Sequence, residues 1–473
     1  MMPSQFQPRR KRLSWWFVWL CSGFAAWPVV AAERPNIIVI LADDLGYGDL
    51  ACHGHPKFKT PTLDRMAAEG ARLTQFNCPA PVCAPTRGAL MTGRYPFRCG
   101  MTQNPTPDAG PERDLQHLPE SEVTLAQLLR AAGYATGMIG KWHLGHARTE
   151  WLPHRRGFDE YFGIPYSNDM RPVALWENDR RVEYPVVQAT VTERYTARAL
   201  DYITRSHRGG KPFFLYLAHL HVHKPIAPGE AFYRKSGAGL YADAVAELDA
   251  STGRILGRVR ELGIDGNTLV IFTSDNGAWW GGSTGGLRGM KGGTYEGGYR
   301  VPFLARWPGK IPAGHVNSQP AVMMDVFATL LAVANVPSPA DRKIDGRNIL
   351  PLLTSDAPSP HPFIFGHGGV PLATVRDARW KLHVLAPRDP YHIVSRPYED
   401  PRAPDGVTII APFEQFRPAD YPGVATGAAP KPMQLFDLID DPAEQRDVAV
   451  ANPEVVARLK RAFDEMVREV PRP

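Results

Sequence analysis

Continuous apolar runs that stop abruptly at polar and charged residues recur in this sequence, and they leave few folds open. Residues 36–41 read Asn-Ile-Ile-Val-Ile-Leu and are followed by Asp43-Asp44, then Gly46 and Gly48. Residues 268–273, Thr-Leu-Val-Ile-Phe-Thr, deliver Ser274-Asp275-Asn276-Gly277. Residues 213–217 run into His219, His221 and His223, and residues 134–139 into Gly140-Lys141-Trp142-His143-Leu144-Gly145. Uninterrupted apolar runs suit strands covered on both faces, the situation of a parallel sheet with helices on either side. Patterns of helical period lie between them. Leu63, Met66 and Ala67 follow Thr60-Pro61; Leu125, Leu128, Leu129 and Ala132 follow Thr124. Further helices are expected near 192–206, over Val245 to Leu262 with Gly263 as the stop, and over 324–333, with another strand at 301–307. This alternation predicts one doubly wound α/β domain, a mostly parallel sheet flanked by helices, over residues 33–350. Ligand sites of such sheets lie at the carboxyl ends of the strands, where these charged groups fall.

Residues 351–362 are rich in Pro and Ser and read as a junction. Beyond it, short strands near Phe363, Thr374, Trp380 and 433–438, and a helix over 453–467, predict a smaller α+β domain, 351–473, interrupted by a proline-rich insertion at 385–432. At the other end, Arg9, Arg10, Lys11 and Arg12 precede an apolar run that closes in Val30-Ala31-Ala32. That is the pattern of a cleavable signal peptide, residues 1–32, with cleavage expected after Ala32. No later run is long enough to anchor in a bilayer, so a periplasmic or secreted protein is expected; Arg9-Arg10 is compatible with twin-arginine export. The net charge of +6 includes those four N-terminal charges, leaving about +2 and no case for nucleic acid as a partner. Of five cysteines, Cys21 lies in the signal segment, and Cys52, Cys78 and Cys99 can form at most one disulfide among themselves.

The remaining cysteine lies in Cys83-Ala84-Pro85-Thr86-Arg87-Gly88, followed by Leu90-Met91-Thr92-Gly93-Arg94. Pro85 fits a first helical turn and Gly93 a helix end, so Cys83 is expected at a helix N-terminus, where amide groups and the helix dipole favour negative charge. Arg87 lies close enough in sequence to point at the same spot. Read singly, each such feature has a plain structural explanation: a buried cysteine, an aspartate turn, a solvated lysine. The three histidines at 219, 221 and 223, spaced by two, are expected on one face. With no cysteine or carboxylate nearby as a fourth ligand they do not make a zinc site, and His219 and His221 read as structural.

Taken together, the Cys-x-Pro-x-Arg stretch, Asp43-Asp44-Leu45-Gly46-Tyr47-Gly48-Asp49-Leu50, Gly140 to Gly145, Gly163-Ile164-Pro165-Tyr166-Ser167, His223-Lys224-Pro225, Lys291-Gly292-Gly293-Thr294-Tyr295-Glu296-Gly297-Gly298 and Leu435-Phe436-Asp437-Leu438 resemble the formylglycine-dependent type I sulfatases, nearest the arylsulfatase A and N-acetylgalactosamine-6-sulfatase branch. Thr86 stands where serine is commoner in that family. The resemblance implies an alkaline-phosphatase-like sheet. It implies that a formylglycine-generating enzyme oxidises Cys83 to an aldehyde whose hydrate attacks sulfate esters, aryl or carbohydrate. It implies a divalent cation on Asp43, Asp44, Asp275, Asn276 and the residue at 83. Carboxylates and an amide oxygen suit Ca²⁺ or Mg²⁺ rather than zinc. Arg87, Lys141 and Lys291 are then expected to neutralise sulfate, His143 to assist the nucleophile, His223 to protonate the leaving oxygen, and Ser167 to contact substrate. Two other readings compete: a formylglycine-dependent phosphonate or phosphate monoester hydrolase, and a non-catalytic binder of sulfated glycans.

Overall fold

The computed structural model describes residues 1, 34–107, 109–170, 173–279, 281–369, 372–388 and 427–470. The expected signal segment and most of the expected insertion at 385–432 lie outside the described residues. In chain order the strands are β1 (Asn36–Ala42), β2 (Ala71–Leu73), β3 (Phe76–Asn77), β4 (Ala135–Gly140), β5 (Glu160–Gly163), β6 (Leu175–Glu177), β7 (Arg180–Glu183), β8 (Phe213–Ala218), β9 (Thr268–Ser274), β10 (Phe303–Arg306), β11 (His315–Asn317), β12 (Ala321–Val322), β13 (Ile364–Gly366), β14 (Thr374–Arg376), β15 (Trp380–His383) and β16 (Gln434–Asp437).

The large sheet has the order β11-β2-β10-β9-β1-β8-β4-β5-β6-β7. Its centre, β9-β1-β8-β4-β5, is parallel throughout. Alternation along β1 divides the core between the two faces. Ile37, Val39 and Leu41 pack with Leu90, Met91, Leu125, Leu129, Phe327 and Leu330. Ile38, Ile40 and Ala42 pack with Leu63, Met66, Tyr195, Ala199, Val245, Leu248 and Ile255. The expected helices supply those residues: Pro61–Glu69, Cys83–Thr92, Leu125–Ala131, Val191–Arg208, Leu240–Glu261 and Met324–Val333. Thr124 caps its helix with a reciprocal bond to Gln127, a capping box.

Register places the site. Ala42 pairs with Ser274, Leu41 with Ala218, and Gly140 with Ala218. The residues just beyond, Asp43, Asp275, His219 and Lys141, therefore emerge together at one edge of the sheet. Gly140 makes that edge tight: its φ is +117°, and a Cβ there would lie 1.8 Å from the Ala218 carbonyl oxygen, which no side chain tolerates.

Two expectations are corrected. The stretch 156–169, to which the sequence reading assigns no strand, contains β5, which extends the parallel sheet beside β4; polar and aromatic residues hid a strand only four residues long. The strand at 301–307 exists as β10 but runs antiparallel to both β9 and β2.

Beyond helix Leu350–Thr354, β13-β14-β15-β16 form a four-stranded antiparallel sheet. Helix Pro453–Arg468 packs Leu459, Ala462 and Phe463 onto it. A buried ionic cluster joins the two sheets. Glu296, in the glycine-rich stretch before β10, accepts from Arg300 at 2.9 Å, from Arg376 of β14 at 3.0 Å and from Lys381 of β15 at 3.1 Å. Lys381 also reaches Glu444 at 3.2 Å, and His383 lies 2.7 Å from the same Glu444 oxygen. Burial pushes the Glu296 carboxyl up, but Lys381, Arg300 and Arg376 outweigh it and hold the group well below the ordinary range. A depressed carboxyl contributes stability above its unfolded value of about 4.3 and loses it as pH falls. The gap in thermal midpoint between wild type and Glu296→Gln is therefore expected to narrow as pH drops through about 4. A gap that stays constant would show that the charge of Glu296 contributes nothing.

Candidate active site

Cys83 opens helix Cys83–Thr92, all of whose residues are buried, and Gly93 ends it in the left-handed region, φ 70°. The Thr86 hydroxyl donates to the Ala80 carbonyl at 2.9 Å, so threonine keeps the loop bond that any hydroxyl would make there. Cys83 Sγ lies 3.7 Å from Asp43 Oδ1. Ligand atoms of Asp43, Asp44, Cys83 and Asp275 all fall within 4.8 Å of one another, and those of Asp44, Cys83 and His223 do likewise.

Three cations answer the three carboxylates. Arg87 is fully buried; its Nε donates to Asp275 at 2.9 Å, its Nη1 to the Lys141 carbonyl at 2.8 Å, and its Nη2 lies 3.4 Å from Asp43. Lys141 Nζ reaches Asp43 at 2.7 Å and Ser167 Oγ at 3.2 Å. Lys291 Nζ reaches Asp44 at 2.7 Å. Burial raises the Asp43 and Asp44 carboxyls despite these partners, whereas for Asp275 the charges of Arg87, Lys141 and Lys291 outweigh burial and lower it. Burial also raises the Cys83 thiol, against Lys141 and Lys291, so an unmodified cysteine here is a neutral, weak nucleophile.

The donor set fits a hard cation. Asn276 donates its amide to Asp44 at 2.7 Å, and its buried Oδ1 has no hydrogen-bond partner among the described residues. An orphaned amide oxygen beside three carboxylates is what an oxygen-liganded Ca²⁺ or Mg²⁺ would satisfy.

The histidines are arranged differently from expectation. The chain leaves β8 at Ala218 and turns over residues 221–223, so the three side chains do not share a face. His219 lies 3.4 Å from Ser251 and His221 2.9 Å from Glu247, both on helix Leu240–Glu261. His223 alone turns to the carboxylates: its Nδ1 donates to the Lys224 carbonyl at 2.6 Å, leaving Nε2 3.6 Å from Asp44 and 3.5 Å from Ser167. His143 is not extended; its φ is +62°. Its Nε2 lies 3.2 Å from the Pro105 carbonyl, and its buried Nδ1 has no partner among the described residues. Burial first, then Lys141 and Arg87 at His143 and Lys291 and Lys141 at His223, hold both imidazoles well below the ordinary histidine range. The four described cysteines are free thiols.

This edge thus gathers Cys83, three carboxylates, two lysines and two imidazoles from the ends of β1, β4, β8 and β9, the start of helix Cys83–Thr92 and the glycine-rich loop. The family model for sulfatases matches residues 35–336. The chain belongs to the sulfatase family. As a sulfatase it is a hydrolase of sulfuric esters. It is 42% identical over 378 residues to pig N-acetylgalactosamine-6-sulfatase, covering 75% of this chain and 72% of the relative. It is 37% identical over 474 residues to human arylsulfatase A, covering 92% of this chain and 88% of the relative. A solved Bacteroides thetaiotaomicron sulfatase, described in connection with the metabolism of multiple glycosaminoglycans, superposes with TM-score 0.77 at 27% identity, covering 92% of this chain and 99% of its own. The phosphonate monoester hydrolase of Agrobacterium radiobacter shares the fold at TM-score 0.61 and 19% identity.

Some supporting residues of this sulfatase carried no role in the sequence. Asp49 accepts from the amides of Gly46 and Ser283, both at 2.6 Å, tying the Asp43-Asp44 turn to the glycine-rich loop. Its position in the quoted Asp43 to Leu50 stretch was a signal, but a loop-to-loop bond has no periodicity to read. Trp279, three residues after Asn276, stands with its ring 5.2 Å from that of His223.

Proposed function

We propose that this sulfatase cleaves aryl or carbohydrate sulfates with a nucleophile derived from Cys83 and one divalent cation, Ca²⁺ or Mg²⁺. The observation that carries the reading is the convergence of Cys83, Asp43, Asp44 and Asp275 within 4.8 Å, with Lys141, Lys291 and His223 around them. Asp43, Asp44, Asp275 and the Asn276 oxygen would hold the cation. When present, the cation polarises the sulfate and the hydrated formylglycine at 83 supplies the attacking hydroxyl. The chain's own residues do the rest. Arg87, pinned between Asp43 and Asp275, fixes the two carboxylates and carries positive charge beneath the sulfate. Lys141 and Lys291 present ammonium groups to sulfate oxygens, whose charge grows during transfer. The unpartnered Nδ1 of His143 accepts a proton at the nucleophile, and Ser167 orients substrate beside Lys141. With His223 Nδ1–H held by the Lys224 carbonyl, its acid form is the imidazolium, whose Nε2–H gives its proton to the oxygen that leaves.

Chelation is expected to lower turnover at least about 100-fold, since a Lewis-acid cation contributes several kcal/mol. Ca²⁺ or Mg²⁺ should restore activity and raise the thermal midpoint, because a ligand of the folded state stabilises it. Stoichiometric zinc by elemental analysis would overturn the oxygen-ligand reading. Rates on matched sulfate and phosphonate esters should favour sulfate; a preference for the phosphonate would overturn the assignment of substrate. The apolar segment before residue 33 supports export to the periplasm or outside the cell, and among the described residues no helix is long and apolar enough to cross a membrane.

A further inference from the structure

We propose that Glu247 is a positioning residue for His223, aiming the imidazole by fastening the segment that carries it; this rests on the sulfatase reading above, in which His223 protonates the leaving oxygen. Between β8 and helix Leu240–Glu261 the chain runs back along that helix, and three buried side chains of the helix grip it. They are Asp243, Glu247 and Ser251, and their spacing of four puts them on one stripe. Ser251 Oγ lies 3.4 Å from His219 Nε2, where the chain leaves the sheet. Asp243 accepts from the amides of Arg234 at 2.6 Å and Ser236 at 2.8 Å, well past the site. Glu247 lies between them. A single oxygen, Oε2, accepts from His221 Nε2 at 2.9 Å and from the Gly229 amide at 2.8 Å.

The two residues fastened by Glu247 bracket His223. The His221 carbonyl accepts from the Asp43 amide at 2.8 Å, and the Val222 amide donates to the Asp43 carbonyl at 2.7 Å. Glu247 thus backs a stretch of main chain that lies directly against the carboxylate cluster. The His223 ring follows that stretch, because its Nδ1 donates to the carbonyl of its own neighbour, Lys224, at 2.6 Å. Toward the site its Nε2 stands 3.6 Å from Asp44 and 3.5 Å from Ser167, distances at which a hydrogen bond exerts little hold. At the other bracket a Cβ on Gly229 would lie 2.9 Å from Glu247 Oε1, so the chain there is drawn against the carboxylate. Bonds to an ionised acceptor are shorter and stronger than neutral ones, which suits a group that holds two donors at once. The acid is thereby aimed from outside the reacting centre.

The test measures kcat and KM on sulfate esters of graded leaving-group acidity, from nitrophenyl sulfate to a sugar sulfate. Glu247→Leu fills the space and accepts no bond. On nitrophenyl sulfate it should stay near wild type. On the sugar sulfate kcat should fall by up to about 100-fold, the cost of a misplacement on the order of 1 Å, with KM little changed. In a His223→Ala background the same substitution should add no further loss that depends on the leaving group, because the residue it aims is gone. Glu247→Gln, whose amide oxygen can accept both bonds, should restore the wild-type dependence. Asp243→Ala, on the same stripe, should lower the thermal midpoint and leave that dependence unaltered. Should Glu247→Leu not fold, Gly229→Ala carries the same test, since its methyl group displaces the carboxylate. An equal loss on every ester, or a leaving-group-dependent loss that persists without His223, would overturn the proposal. Wild type inactive on all of them, nitrophenyl sulfate included, would instead overturn the sulfatase reading beneath it.

Discussion

Cys83→Ala is expected to lose turnover by about 10⁶-fold, the scale on which removal of a covalent nucleophile acts, while still binding a sulfate ester. The substitution removes one atom that touches Asp43 and leaves the rest of the site in place. The helix that Cys83 opens is buried along its whole length and held by Thr86 and Gly93, so alanine costs the fold little. Lys141 and Lys291 keep their aspartate partners and remain beside the space for sulfate. Calorimetric titration with an unreactive sulfated ligand should therefore give a dissociation constant near that of wild type. On wild type, peptide mass spectrometry with an aldehyde-reactive probe should find residue 83 converted. Fully active protein whose Cys83 is quantitatively a thiol would sink the mechanism.

The second large effect concerns His223 and depends on the substrate. A proton delivered to the leaving oxygen matters in proportion to how poorly that oxygen leaves without one. His223 Nδ1–H donates to the Lys224 carbonyl, so the proton for the leaving oxygen is a second one, carried in the imidazolium on Nε2, which faces Asp44 and Ser167. His223→Ala should cost little on nitrophenyl sulfate and about 10²–10⁴-fold more on a sugar or alkyl sulfate, the usual worth of general acid catalysis. Plotted against leaving-group acidity, the mutant should show a steeper line than wild type. If the imidazole merely bound sulfate, the losses would be equal across the series and the lines parallel. A packing role predicts a lower thermal midpoint with the same parallel lines.

Much of this was legible in the sequence because two periodicities carry it. The runs at 37–41, 213–217 and 269–272 are apolar at every step, which marks burial on both faces, and the residues just past each run had to meet at one edge once the strands paired in parallel. What stayed hidden has a common cause. β5 is four residues long and mixes Glu160 with Tyr161 and Phe162, too short and too mixed for a pattern. The hairpin of β6 and β7 was missed likewise. The histidine trio misled because the alternation argument assumes an extended chain, and the chain turns after Ala218. His143 likewise leaves the extended conformation, in the left-handed region. Side-chain bonds between distant loops, such as Asp49 to Ser283, leave no trace in local spacing. The clustered carboxylates Asp43, Asp44 and Asp275 were readable because they stand directly past apolar strand runs.

The cluster around Glu296 bears on how such a chain can be recombined. Glu296 lies five residues after Lys291, in the loop whose Gly292 amide bonds the Pro81 carbonyl beside the nucleophile helix. Its counter-charges Arg376 and Lys381 come from the small sheet, as does His383, the partner of Glu444. A buried carboxylate stripped of such partners costs about 3–5 kcal/mol. The small sheet therefore cannot be traded for an unrelated tail as an independent cassette. Any graft in its place must bring basic side chains to the same two positions, or the loop that presents Lys291 inherits a buried carboxylate answered by Arg300 alone.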